Sequence, residues 1–167
     1  MIGWEVKIII KVIRSVYYNL TDGISNLIHW FPVIWRDREF DDHFIYVILH
    51  KKLERMEKFF NSKYAWTADA EVHVAEIQIA KDACKRIIDS KYFEQCLIPY
   101  DEKYGDKEYM WFEPDEDRPG WSKIVWTEDT EQMELRRQCG NKADELEKLD
   151  KDFLFEFIRK HIDGWWD

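Results

Sequence analysis

Between Thr67 and Lys91 the apolar residues fall on two faces of one helix. Ala70, Val74, Ile77, Ala80, Cys84, Ile87 and Ile88 follow helical spacing, and Val72, Ala75 and Ile79 form a second set beside them. A helix with two apolar faces needs cover on both, which places it at the centre of a helical packing. Thr67 is the expected cap, and Asp69 and Glu71 suit the positive end of the helix dipole. From Asp42 to Asn61 the same periodicity returns in Ile45, Ile48, Leu49, Leu53, Met56, Phe59 and Phe60, with Asp41 or Asp42 as the cap.

Three further stretches complete the expected fold. Glu5 to Leu20 reads as a helix stopped at Thr21-Asp22-Gly23, although the β-branched run Val6 to Ile13 also suits a strand. A short helix from Ile24 to Phe31 is expected to end at Pro32, where the chain bends and buries its rings. Residues 92–126 hold three of the 4 prolines and read as loops, with a short hairpin pairing Tyr109 to Phe112 with Lys123 to Trp126. A last helix runs from Glu128 to Ile162, interrupted near Gly140, with Leu146, Leu149, Phe153, Phe157 and His161 along one side. The expected fold is mainly α: residues 1–167 form a single-domain helical bundle with an irregular or short β-hairpin insertion near 92–126.

Charge narrows the partners. A net charge of -9 makes duplex nucleic acid a poor partner, because an acidic surface repels phosphate. Cys84, Cys96 and Cys139 are an odd number at wide spacing, matching neither a zinc site nor a disulfide framework, so a reducing cytoplasm is expected. The start of the chain is not read as a signal peptide, since Lys7, Lys11 and Arg14 break its apolar run. Those three charges lie opposite Ile9, Ile10, Ile13 and Val16, a pattern that can rest on a membrane surface. The favoured expectation is a core-facing first helix and no membrane partner.

Two constellations carry chemistry. Asp69, His73 and Glu76 are spaced to share one helical stripe, and Glu54 and Glu57 form an E-x-x-E pair on the preceding helix, with His43 and His50 on the same side. All-α nucleotide pyrophosphatases hold magnesium with two acidic pairs on neighbouring helices; here Glu54 and Glu57 match the first pair and His73 and Glu76 depart from the second, so these five residues define an alternative reading as a magnesium-dependent enzyme. The blander reading gives Asp69 to the helix start, His73 to the core and the glutamates to solvent. No serine elbow or glycine-rich phosphate loop accompanies them. The second constellation joins rings to guanidinium groups, in a chain with 9 Trp. Trp30, Trp35, Arg36 and Arg38 lie near Pro32, while Trp111, Arg118 and Trp121 lie in the irregular stretch. Arg forks hold phosphate and indoles stack on bases, so these residues are the expected ligand site.

Three motifs then resemble a family of small proteins encoded by tailed bacteriophages. They are the box Trp30 to Asp41 (WFPVIWRDREFD), the helix Lys52 to Phe60 (KLERMEKFF) and the ending Trp165, Trp166 and Asp167. The resemblance covers about half the chain and leaves 92–145 unaligned. It implies a phage origin and action in the host bacterial cytoplasm, and it transfers no catalytic residues. The resulting expectation is a non-enzymatic, homo-oligomeric phage accessory protein with no cofactor. Its partner is a small nucleotide ligand, most specifically a nucleotide signal of antiviral defence that it sequesters, or else a host protein that it inhibits.

Overall fold

A computed structural model describes residues 4–36, 41–65, 67–105, 110–127 and 129–166. They form five α-helices, one two-stranded antiparallel sheet and a short 3-10 helix, so the mainly α expectation with a small hairpin holds. The chain divides into two compact units, Met1–Leu49 and His50–Asp167. Among the described residues no helix is long and apolar enough to cross a membrane.

The first unit holds α1, Trp4–Ile34. This one helix replaces the two expected, and neither Thr21-Asp22-Gly23 nor Pro32 stops it at the expected place. The Thr21 hydroxyl donates to the carbonyls of Tyr17 and Tyr18, which keeps its polar group inside the helix. Gly23 costs a helix interior only about 1 kcal/mol. Pro32 sits in the last turn, where just one N–H is forfeited and the helix is ending anyway. The expectation of a core-facing first helix is overturned. Ile9, Ile10, Ile13 and Val16 are all more than half exposed. Beyond α1, the Asp41 carboxylate accepts from the His43 N–H and opens α2, His43–Phe60, which runs on into the second unit.

The second unit is built around α3, Ala70–Asp89. Ile77, Ala80, Ala83, Cys84 and Ile87 are sealed from solvent, together with Leu53 and Phe60 of α2. The second apolar face is not covered: Val72 and Ile79 are exposed. One turn further that stripe reaches Asp82 and then Arg86, so its apolar run is too short to bury. Thr67 is not the cap either; Asp69 holds the cap position without a side-chain bond, and the Thr67 hydroxyl makes none. The left-handed Ser90 closes the helix.

Residues 92–126 are more ordered than their prolines suggest. Tyr92–Tyr104 form α4, with Pro99 inside it. Met110–Pro114 (β1) and Ser122–Trp126 (β2) form the hairpin, with Met110 opposite Trp126 and Phe112 opposite Ile124. The expected partner Tyr109 lies outside the described residues. Gly120, at φ 86°, turns the chain back toward β2.

Thr130–His161 form α5 without interruption, opened by Asp129 and Gln132 in a reciprocal capping box. Its inward side carries Ala143 and Leu154 rather than the expected Leu149 and Phe153, which are exposed. α3 and α4 both pack on α5, and the 3-10 turn Ile162–Trp166 folds back on its end. Gly140 lies mid-helix, where an added Cβ would meet only the Phe93 ring, at 3.9 Å. Gly140→Ala is therefore expected to raise stability by about 0.5–1 kcal/mol. Urea unfolding followed by circular dichroism checks this.

Candidate ligand site between α4 and α5

The acids of the alternative enzyme reading are spoken for separately. Glu54 accepts from Lys51 and Lys58 at 2.8 and 2.7 Å, and these contacts pull its pKa down to about 2. Glu57 pairs with Lys81 of α3. Glu76 accepts from His161 Nδ1 at 2.6 Å and from Trp165 Nε1 at 2.9 Å. His73 lies against Phe60, ring centres 5.4 Å apart, and its Nδ1 has no hydrogen-bond partner. Asp69 stays at the exposed helix start. Among the described residues no three His, Cys, Asp or Glu side chains are placed to hold a metal ion. The lysines that neutralise Glu54 and Glu57 occupy the positions a cation would need.

The ring-and-guanidinium residues divide between the two units. In the first, Trp35 is exposed and packs on Phe31 at 5.2 Å. Arg36 is exposed, Trp30 is half-buried, and Arg38 lies outside the described residues. In the second, the hairpin turn sets the Arg118 guanidinium 5.7 Å from the Trp121 ring. The Asp115 carboxylate holds Arg118 at 2.8 Å, and Trp111 donates to Glu113 at 2.8 Å. This turn shows an exposed indole beside a cation.

A roomier concave space lies between two helices of the second unit. α4 and α5 leave an open cavity of about 460 Å³, lined by Cys96, Pro99, Tyr100 and Tyr104 from α4 and by Leu135 and Cys139 from α5. Lys103 and Lys142 stand on its rim beside Gln138. Tyr100 and Tyr104, one helical turn apart, hold their ring centres 4.9 Å apart. The Lys103 ammonium lies 4.5 Å over the Tyr104 ring and 3.5 Å from Glu131, and Lys142 reaches Glu145 at 3.0 Å. Such exposed ion pairs contribute little and exchange readily. Burial raises the Cys139 pKa, so this thiol is a neutral wall rather than a nucleophile. The walls are thus largely apolar and aromatic, with two exposed, ion-paired lysines among the lining.

Of these cavity residues the sequence draws attention only to Cys96 and Cys139, and to those only through their spacing. Pro99 marks α4 as a loop, which hides the Tyr100–Tyr104 spacing that would otherwise pair the rings. No family model, curated protein or solved structure matches the chain.

Glu76 gives this unit a pH dependence. Burial works to raise its pKa, but the bonds from Trp165 and His161 outweigh burial and hold it below the usual carboxylate value. A carboxylate depressed in this way stabilises the fold above about pH 4.3 and loses that contribution as pH falls through its folded value. Glu76→Gln should be less stable at pH 7 and should lose less stability than the parent between about pH 5 and 3. Urea midpoints across that range measure the difference.

Proposed function

We propose that the chain is a non-enzymatic binding protein for a small planar anion of the nucleotide class, seated between α4 and α5. The observation that carries this reading is the cavity whose wall holds the Tyr100–Tyr104 pair and whose rim holds Lys103 and Lys142. Its volume of about 460 Å³ falls within the roughly 300–1,000 Å³ of small-molecule sites. A base or other flat ring stacks on tyrosine, and a phosphate draws the two lysines from their exposed carboxylate partners. Trp121 with Arg118 in the hairpin, and Trp35 with Arg36 in the first unit, are exposed ring-and-cation pairs that do not line this cavity.

The separate ion pairing of Glu54, Glu57 and Glu76 favours binding over turnover. The resemblance to phage accessory proteins supports the sharper form of the proposal. In that form the protein sequesters a nucleotide signal of antiviral defence in the host bacterial cytoplasm.

Calorimetry against cyclic oligonucleotides and ADP-ribose derivatives tests the reading. One of them should bind with Kd below about 10 µM. Tyr100→Ala should weaken that binding at least roughly tenfold, the scale of one lost stacking contact. Absence of any binding in this range, or an unchanged Kd in the variant, removes the proposal.

A further inference from the structure

Along α1, steps of four and three residues alternate without a miss. From Val6 they land on Ile10, Ile13, Tyr17 and Leu20, and then on Ile24, Leu27, Phe31 and Ile34. All nine are apolar, and all are exposed, from 47% at Val6 to 66% at Leu27. Large apolar side chains in a single continuous line are rarely left to water.

The spacing identifies what covers them. A free α-helix turns every 3.6 residues, so a strict 3.5-residue repeat drifts by about 20° per heptad, or about 80° over four heptads. A straight helix resting on a flat lipid surface would carry its apolar stripe along that drift. A stripe that holds the seven-residue repeat stays in line only with a second helix that winds around it. The occupant is therefore helical.

A second copy of the same chain meets the remaining requirements. Every copy carries an identical seam, so the contact is self-complementary. Nine half-exposed large side chains offer roughly 900 Å², close to the about 800 Å² per partner of a standard stable interface. None of the nine positions holds Lys, Arg, Asp or Glu, and Lys7, Lys11 and Arg14 lie off the seam, so pairing buries no like charges. Ile9 and Val16, both exposed, flank one side of the seam, and Lys7 and Arg14 flank the other. We propose that α1 is a coiled-coil self-association surface through which two or more copies assemble.

Sedimentation equilibrium of the full chain tests this. The 20.5 kDa chain should show at least twice its own mass, and this should hold down to about 10 µM. Leu20→Glu, at the centre of the seam, should weaken association at least roughly tenfold, and Ser15→Glu, off the seam, should leave the mass unchanged. Because Leu20 is 60% exposed in the single chain, the variant should keep the fold of His50–Asp167. Retained near-ultraviolet circular dichroism checks that it does. A monomer at about 100 µM overturns the proposal. So does a Leu20→Glu variant as heavy as its parent. A chain that is monomeric alone but co-sediments with phosphatidylglycerol vesicles assigns the seam to lipid and also overturns it.

Discussion

One carboxylate decides how the helices of the second unit meet. Asp150 lies on the stripe of α5 that also carries the buried Ala143 and Leu154. Arg86 of α3 grips it with two nitrogens, at 2.8 and 2.6 Å, and the Tyr92 hydroxyl of α4 donates to it at 2.8 Å. The Arg86 bonds come first among the causes that hold the Asp150 pKa below its ordinary value. A charge on an inward stripe is tolerated only when its acceptors are filled. These three donations meet that need and tie α3 and the start of α4 to one point on α5.

Much of this arrangement is written in local periodicity. The spacing of Ile77, Ala80, Cys84 and Ile87 identifies α3, and the apolar periodicity through Leu53 and Phe60 identifies α2, even though Glu57 interrupts its buried side. The hairpin is legible from β-prone residues flanking a turn rich in Pro, Gly and Asp. Local signals mislead where a breaker is tolerated. Gly23 and Pro32 argue against helix one residue at a time, yet α1 absorbs both, and Pro99 disguises α4 in the same way. The contacts of Glu76 were beyond reach for a different reason. His161 and Trp165 stand 85 and 89 residues along the chain, and no short-range pattern encodes such a meeting.

The same distinction explains the fate of the acidic constellation. Helical spacing correctly puts His73 and Glu76 on one side of α3, and it correctly predicts two neighbouring helices. It says nothing of Lys81, which crosses from α3 to Glu57, or of the indole that claims Glu76. Shared faces create proximity, but the partners that complete each group decide whether it is free for chemistry. The tyrosine-lined cavity escaped notice for the converse reason: its rings are ordinary residues until α5 encloses them.

Cys84 has a practical consequence. It is fully enclosed, and burial lifts its thiol pKa to about 12, whereas Cys96 and Cys139 are only partly covered at the cavity. Alkylating reagents attack thiolates, so while the fold is intact they should consume Cys96 and, more slowly, the partly buried Cys139, and spare Cys84. The slow uptake of a third label would then count openings of the core, giving the molecule its own unfolding clock without any added probe.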